Sequence, residues 1–330
     1  MSINVGVIGL GRIGKIHAEN LVNRIPNVVV HTAVDPDLAT AEFARELGIQ
    51  NHSTNPDDVF SDSIQAVIIC SPTPTHFPLI EKAAANGIHI FCEKPLEMTV
   101  EKIQAINEIV TRHNVKLQVG FNRRFDANFS RVRQQVAQGD IGDPHILKIT
   151  SRDPAPPPVQ YIKSSGGMFM DMTIHDFDMA RFVVNSEVKE VFAKGAVLVD
   201  PEIGEQGDID TAIITLTFAN GCIGVIDNSR EAVYGYDQRL EIFGSKGMSK
   251  ITNNYADTAV LHNESGRHTG PALNFFLERY QQAYYEEMRA FIGAVLKDIP
   301  VPVSCEDALK ATQIARAANQ SLKENKPIML

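Results

Sequence analysis

The chain has 330 residues, of which 44% are hydrophobic and 22% charged, with a formal net charge of -9. This length predicts two domains of ordinary size, each with its own hydrophobic core. The acidic balance argues against a nucleic-acid-binding surface, which would need clustered Lys and Arg. No apolar run approaches the roughly 18 residues of a membrane helix. Because the N-terminus shows no export signal, we expect a cytoplasmic protein with no membrane partner.

The cysteines are scattered and show no Cys-x-x-Cys spacing. Most of them lie in or beside apolar strand-like runs, where cysteine behaves as a small hydrophobe. We therefore expect reduced, structural thiols at Cys70, Cys92, Cys222 and Cys305.

Strand and helix patterns alternate over the first 120 or so residues. This alternation predicts a parallel, doubly wound sheet of the α/β class, that is, an N-terminal domain of the Rossmann type over residues 1–121. The predicted strands and helices, in chain order, are Ile3–Gly9, Lys15–Arg24, Val28–Val34, Leu38–Leu47, Ala66–Cys70, Thr75–Asn86, Ile88–Cys92, Val100–His113 and Lys116–Gly120.

A glycine-rich stretch, Gly9-Leu-Gly-Arg-Ile-Gly14, joins the first predicted strand to the first helix. It is a G-x-G-x-x-G dinucleotide fingerprint in its required context. Gly9 allows the tight turn, and Gly11 lets the backbone approach a pyrophosphate at the helix N-terminus. Gly14 permits close packing of helix on strand.

Asp35 ends the second predicted strand, about where the fingerprint places an acidic ribose ligand. Its carboxylate would accept hydrogen bonds from the adenosine ribose hydroxyls and repel a 2′-phosphate, which favours NAD over NADP. The alternative is that Asp35 merely caps the helix beginning near Leu38. Arg12, inside the glycine loop, is the residue that could tolerate a phosphate.

Three further loops follow predicted strands and should meet at the carboxyl edge of the sheet, where such folds bind ligands. They are Ser71–His76, Glu93–Pro95 and Phe121–Arg124. For His76 the alternative is a polar packing role. The predicted cofactor-binding residues are therefore Gly9, Gly11, Arg12, Ile13, Gly14, Asp35, Ser71, Thr73, His76, Glu93 and Lys94.

Beyond residue 121 strand patterns follow one another without helices between them. Consecutive strands predict an antiparallel sheet, so residues 122–330 should form an α+β domain. Its predicted elements are helix Asn128–Gln138, strands His145–Arg152, Val188–Val199, Thr211–Phe218, Cys222–Ser229, Gln238–Phe243, Met248–Thr252 and Ala256–His262, and helices Phe275–Lys297 and Glu306–Glu324.

The stretch Ser165–Asp178 carries more titratable side chains than its apolar surroundings explain. A turn at Gly166-Gly167 should open a helix on which Asp171 and His175, four positions apart, share a face. A base oriented by a carboxylate suits proton removal from an alcohol. A metal site formed by His175, Asp176 and Asp178 is disfavoured, because Asp176 lies on a different face of the helix from His175. We therefore expect no metal.

Lys94 lies between Glu93 and Pro95 at the end of a buried strand. A surface lysine that pairs with Glu93 is the alternative to a desolvated ammonium facing the cofactor. In the second case Lys94 can orient a substrate hydroxyl and share its proton. The predicted catalytic residues are Lys94, Asp171 and His175.

Together, Gly9–Gly14, Glu93-Lys-Pro95 and Gly166–Asp178 resemble the glucose–fructose oxidoreductase and inositol dehydrogenase family over essentially the whole chain. Ser151–Pro156 and the motifs between Asn228 and Met248 are similar to its bacterial inositol 2-dehydrogenase branch. The resemblance implies a large, mostly antiparallel sheet in the second domain and a homotetramer built through these sheets. It also implies a polyol site lined by Lys94, Arg124, Asp153, Asp171, His175, Asp178, Tyr234 and Tyr236.

The resemblance implies that a hydride passes from the C2 carbinol of myo-inositol to NAD, which gives 2-keto-myo-inositol. A scyllo-inositol or sugar dehydrogenase of the same fold is the nearer alternative. A non-catalytic NAD-binding sensor is the alternative from another class, but it would need none of the three predicted catalytic side chains.

Overall fold

The computed structural model describes residues 2–61 and 63–330. Its first sheet has six strands: β1 (Ile3–Ile8), β2 (Val28–Val34), β3 (Asn51–Ser53), β4 (Ala66–Ile69), β5 (His89–Glu93) and β6 (Leu117–Gly120). Their spatial order is β3-β2-β1-β4-β5-β6, and every neighbouring pair is parallel. This is the dinucleotide-binding order, so the predicted Rossmann fold is confirmed. The sequence did not indicate β3, whose Asn-His-Ser run has no apolar pattern.

The described α-helices that connect these strands are α1 (Arg12–Asn23), α2 (Thr40–Glu46), α3 (His76–Ala85) and α4 (Val100–Arg112). Helix α1 buries Gly14, Ala18 and Leu21, residues at helical spacing that make one apolar face. Its N-terminus begins directly after Gly11, which leaves the first backbone N–H groups at the glycine loop.

The second sheet belongs to the other half of the chain. Its strands are β7 (Pro144–Arg152), β8 (Val188–Ala196), β9 (Thr211–Phe218), β10 (Ile223–Ser229), β11 (Asp237–Gly244) and β12 (Gly247–Ile251). A short hairpin, β13 (Val260–Asn263) and β14 (Gly266–Thr269), precedes the last edge strand, β15 (Ile328–Met329).

The seven strands of this sheet lie in the order β12-β11-β7-β10-β9-β8-β15. The β7–β10 pair is parallel and the other pairs are antiparallel, which confirms the predicted mostly antiparallel sheet. The predicted strand Ala256–His262 is different, since it contributes only to the separate hairpin. The described helices that complete the chain are α5 (Ala127–Ala137), α6 (Val159–Ser165), α7 (Met168–Asp171), α8 (Ile174–Val184), α9 (Pro201–Glu205), α10 (Phe276–Arg279), α11 (Gln281–Lys297) and α12 (Cys305–Glu324).

The compact units of the structure are discontinuous in sequence. One comprises Met1–Phe125 and Gln282–Lys310, and the other Asp126–Gln281 and Ala311–Leu330. The sequence pattern suggested one boundary at residue 121, but α11 belongs with the first unit. The reason is that its Met288, Phe291 and Ile292 are buried in the hydrophobic core formed by the parallel sheet. No described helix is long and apolar enough to cross a membrane.

Candidate active site

The three glycines of the loop differ in how much space a side chain would have. Gly9 has φ +90°, and a Cβ there would lie 2.7 Å from the carbonyl carbon of Cys70. A Cβ on Gly14 would lie 1.8 Å from the carbonyl oxygen of Gly9. At Gly11 no atom of the described residues, apart from its own chain neighbours, lies within 4 Å of the corresponding position. Gly9 and Gly14 are therefore needed because the backbone leaves no room for a side chain at either position. The open space beside Gly11 suits the approach of a dinucleotide to the start of α1.

Asp35 is tied to this loop. Its Oδ2 accepts a hydrogen bond of 2.6 Å from the backbone N–H of Leu10, and its Oδ1 accepts one of 2.8 Å from Asp37. Helix α2 begins only at Thr40, so Asp35 does not cap it. Arg12 is the exposed first residue of α1, and Ile13 follows it, half-buried.

His76 lies under the rim rather than on it. It is buried, with Nε2 2.9 Å from the carbonyl oxygen of Ser71 and Nδ1 3.1 Å from that of Pro95. Burial lowers the pKa of His76. These contacts favour the packing alternative for His76, because its ring joins two rim loops, and the predicted cofactor role of His76 stays a prediction. In the same rim, Ser71 Oγ lies 2.6 Å from Thr75 Oγ1, and Thr73 is half-buried.

Glu93 also points into the protein. Its Oε1 lies 2.8 Å from Nε2 of the buried His17, and its Oε2 accepts a hydrogen bond from the backbone N–H of Lys94 at 3.2 Å. Its carboxylate therefore supports the rim from inside, and the predicted cofactor role of Glu93 stays a prediction. Lys94 is half-buried directly after β5, and the peptide bond to Pro95 is cis.

The predicted single helix carrying Asp171 and His175 is wrong. Gly166 and Gly167 do form the turn, with φ of 84° and 81°, but α7 ends at Asp171 and α8 begins at Ile174. At the break, the buried Thr173 bonds through its N–H to Met168 O, five residues back, which interrupts the helical ladder. Asp171 thus terminates one helix, and His175 lies half-buried in the first turn of the next.

The partners of Asp171 include Tyr161 and Arg230, which the sequence did not reveal. Its Oδ1 accepts a hydrogen bond of 2.8 Å from the Tyr161 hydroxyl, and its Oδ2 accepts one of 3.2 Å from Arg230 Nη1. The Arg230 side chain is 1% exposed, and its Nη2 lies 3.8 Å from Asp208 Oδ2. Asp208 in turn accepts a bond from the Met168 N–H at the glycine turn. The buried guanidinium of Arg230 therefore places a positive charge close to the carboxylates of Asp171 and Asp208.

The two carboxylates of the metal alternative are both buried. Asp176 is buried and accepts a hydrogen bond of 2.9 Å from Asn228 Nδ2, and Asp178 is also buried. Among the residues that the structure describes, the group whose ligand atoms lie close enough to hold a metal ion is a different one, His17, Glu93 and Glu287.

Two of the polyol residues implied by the resemblance follow sheet strands. Arg124 lies in a short 3-10 turn after β6 and donates a hydrogen bond of 2.8 Å to Asp307 Oδ1. Asp153 follows β7, and its backbone N–H donates to Ser229 O at 3.0 Å. Both side chains are half-buried.

The two implied tyrosines differ in accessibility. Tyr234 is 52% exposed, and its hydroxyl donates to Asp237 Oδ2 at 2.7 Å while accepting from Arg152 Nη1 at 3.0 Å. Burial of the hydroxyl and this bond to Asp237 raise the pKa of Tyr234. Tyr236, by contrast, is buried, with ring edges against Phe275 and Tyr280. Tyr236 therefore contributes to packing, and only Tyr234 is presented to solvent.

Comparison with known proteins agrees with this architecture. Residues 3–121 match the oxidoreductase family with an NAD-binding Rossmann fold, and residues 129–250 match the GFO/IDH/MocA C-terminal domain. The chain is 48% identical over 330 residues to myo-inositol 2-dehydrogenase of Thermotoga maritima, covering 99% of this chain and 98% of the relative.

Two solved structures extend the likeness to three dimensions. A probable dehydrogenase from Thermotoga maritima superposes with a TM-score of 0.97 at 47% identity, over 99% of this chain and 98% of that one. A scyllo-inositol dehydrogenase from Lactobacillus casei, solved with NAD(H) and scyllo-inositol, superposes with a TM-score of 0.93 at 32% identity, over 100% and 99% of the two chains. The chain therefore belongs to the GFO/IDH/MocA family of NAD-binding oxidoreductases.

Proposed function

We propose that the protein oxidises the C2 carbinol of myo-inositol to a ketone with NAD, which gives 2-keto-myo-inositol. The observation that carries this proposal is the 48% identity to a myo-inositol 2-dehydrogenase along nearly the whole length of both chains. The side chains required for alcohol oxidation are all present in this chain, on the end of β5 and on the helices α7 and α8.

The glycine loop and Asp35 would hold the cofactor. Open space beside Gly11 and the N–H groups at the start of α1 suit the pyrophosphate, and Asp35 suits the ribose hydroxyls. When bound, NAD supplies the hydride acceptor. The neighbouring Ser71 and Thr73 belong to the rim of the same sheet, and we keep them in the proposed cofactor site.

The residues of the chain handle the proton. Oxidation of an alcohol removes a hydride from carbon and a proton from oxygen, and a histidine in contact with the hydroxyl can take that proton. His175 has this role in the proposal, and Lys94 donates a hydrogen bond that stabilises the developing alkoxide. Asp171, held by Tyr161 and Arg230, orients the reacting groups.

Stereochemistry is the main alternative within this function. The Lactobacillus casei relative binds scyllo-inositol, but it is 32% identical, against 48% for the myo-inositol relative. We therefore favour myo-inositol. Arg124, Asp153 and Tyr234 are the polyol ligands we propose besides the catalytic residues.

The test is NADH formation with myo-, scyllo- and chiro-inositol and glucose, each with NAD and with NADP. We expect the highest kcat/KM with myo-inositol and NAD. His175→Ala should lower kcat by roughly 100-fold or more with unchanged NAD affinity, as for loss of a general base. NAD binding without turnover of any polyol would favour the sensor, and a preference for another substrate would replace myo-inositol in the proposal.

A tetramer built through the large sheets completes the proposal. On this sheet Ile223, Ile146, Phe243 and Met248 are cross-strand neighbours on β10, β7, β11 and β12. These four apolar side chains are between 37% and 54% exposed, so they form a continuous apolar row that a second copy would cover. The four unpaired cysteines agree with the cytoplasmic location that we also propose.

A further inference from the structure

A buried acidic group lies beneath the rim of the parallel sheet. Glu287, on α11, is fully buried, as is the side chain of His17 on α1. Glu287 Oε1 lies 3.9 Å from His17 Nε2, which itself lies 2.8 Å from Glu93 Oε1. Neither carboxylate oxygen of Glu287 has a hydrogen-bond partner among the described residues.

The charges around Glu287 do not favour a second carboxylate anion. The titratable groups that interact with Glu287 are His17 from α1, Glu93 from β5 and Cys70 after β4. No lysine or arginine of the described residues forms an ion pair with Glu287. Burying an uncompensated carboxylate beside another is costly, and a carboxyl in such a place keeps its proton instead. Burial and the charge of Glu93 accordingly raise the pKa of Glu287 well above its ordinary value.

A metal ion is the other way to balance these charges. One imidazole and two carboxylates suit zinc, and their ligand atoms lie within 4.8 Å of one another. However, two ligands of a tetrahedral zinc lie about 3.3 Å apart, since each bond is about 2.0 Å long. The distance of 2.8 Å between His17 Nε2 and Glu93 Oε1 is that of a direct hydrogen bond.

Glu93 connects this group to Lys94. Glu93 Oε2 accepts a hydrogen bond from the backbone N–H of Lys94. The other oxygen, Oε1, accepts one from His17 when the imidazole carries its proton on Nε2. A Cβ on Gly120 of β6 would lie 2.9 Å from Glu93 Cδ, so the backbone of the neighbouring strand also limits the space around the Glu93 carboxylate. Any displacement of the Glu93 carboxylate would therefore be passed to the backbone of Lys94.

We infer that Glu287 is a neutral, protonated acid, and that His17 and Glu287 are positioning residues that keep Glu93, and through it Lys94, in place. His17 does so by donating to Glu93. Glu287 does so by remaining uncharged, because a second negative charge would repel the Glu93 carboxylate. The inference rests on the proposed function, in which Lys94 contacts the substrate hydroxyl.

The first test measures the proton. The pKa of Glu287 is higher in the folded state than in the unfolded state. Its contribution to stability is therefore complete below the unfolded pKa and is lost as the pH rises toward the folded pKa. Glu287→Gln is uncharged at every pH. We expect the unfolding free energy of the wild type to fall relative to Glu287→Gln as the pH rises, and the infrared band of a protonated carboxyl to disappear in the variant. Parallel stability curves, or a stoichiometric metal ion that is lost in Glu287→Gln, would overturn the inference.

The second test separates positioning from stability. His17→Gln retains an N–H donor near the Nε2 position, whereas the shorter His17→Asn does not reach Glu93. We expect His17→Asn to lower kcat roughly tenfold to 100-fold, as for a displaced reacting group, with little change in the KM for NAD, and His17→Gln to recover most of it. Equal activity of the two variants and the wild type would refute the positioning role.

Failure of the proposed function gives a different result from failure of the inference. If the wild type turns over no polyol, or if Lys94→Ala is fully active, the proposed function or the role of Lys94 fails. In that case the stability and infrared measurements still decide whether Glu287 carries a proton.

Discussion

The carboxylate of Asp35 accepts a hydrogen bond of 2.6 Å from the backbone N–H of Leu10, the residue between the first two glycines of the fingerprint. The end of β2 is thereby fastened to the glycine loop after β1. The residue proposed to choose between NAD and NADP is thus also hydrogen-bonded to the loop that would bind the pyrophosphate.

Exchange of Asp35 for Ser should weaken discrimination against NADP. The negative charge that repels a 2′-phosphate is lost, and the ratio of kcat/KM for NAD to that for NADP should fall roughly tenfold to 100-fold, as for loss of a charged hydrogen bond. The measurement is steady-state kinetics with both cofactors. Asp37→Ser is the matched control, because it removes a charge two residues away; an unchanged ratio in Asp35→Ser would show that the ribose ligand lies elsewhere.

Alanine at the two neighbouring glycines should have opposite consequences. A Cβ on Gly14 meets the Gly9 carbonyl oxygen at 1.8 Å, so Gly14→Ala should lower the unfolding free energy by about 3 kcal/mol or more. Gly11→Ala has open space and should keep the stability but lose NAD affinity. Denaturant unfolding and cofactor titration check both. A stable Gly14→Ala protein, or full NAD affinity in Gly11→Ala, would contradict this assignment.

Tyr161→Phe tests the support of Asp171. It removes one hydrogen bond, of about 1 kcal/mol, from a carboxylate proposed to orient the reacting groups, so kcat should fall several-fold with unchanged NAD affinity. Because Tyr161 is 45% exposed, the melting temperature should hardly change. Tyr255→Phe, at a similarly exposed tyrosine, is the control, and equal kcat values in the two variants would argue against the role of Tyr161.

The buried His76 should make stability depend on pH in the acid range. Its folded pKa is lowered by burial, so the unfolded state binds the proton more readily. The contribution of the neutral ring is complete above the unfolded pKa of about 6.5 and is lost as the pH falls toward the folded value. The wild-type unfolding free energy should therefore fall more steeply with decreasing pH than that of His76→Gln, by up to about 1.4 kcal/mol per pH unit. Curves of equal slope would show that His76 stays equally protonated in both states.

Phe243→Asp tests the apolar row on the large sheet. A charge placed among Ile146, Ile223 and Met248 should prevent a second copy from covering them. Light scattering should then show a smaller species than for the wild type. Leu198→Asp, at a leucine that is 75% exposed outside the strands of this sheet, should leave the assembly intact. If the Phe243→Asp variant remains a tetramer, the interface does not include the apolar row on this sheet.

The sequence predicted well what short stretches determine by themselves. The glycine loop, the strand ends and the turn at Gly166-Gly167 depend on local conformation and on hydrophobic period, so they could be recognised. The break at Thr173 could not, since it depends on a hydrogen bond that reaches back to Met168. The partners of Asp171 were hidden for a related reason, because Tyr161 and Arg230 are brought to it only by the tertiary fold.

Glu93 and His76 show the converse difficulty. Their positions beside the predicted rim were right, but position in the chain does not show whether a side chain faces outward or inward. The contact of Glu93 with His17 and the contacts of His76 with three carbonyl groups decide that both side chains point inward.

The contribution of α11 to the first core has a practical consequence for protein engineering. A fragment that stops at residue 121 would lack Met288, Phe291 and Ile292 and would expose the apolar surface that they cover. Such a fragment should aggregate when expressed alone. A chimaera that exchanges the second unit between relatives should instead have three junctions, near Phe125, Gln282 and Lys310.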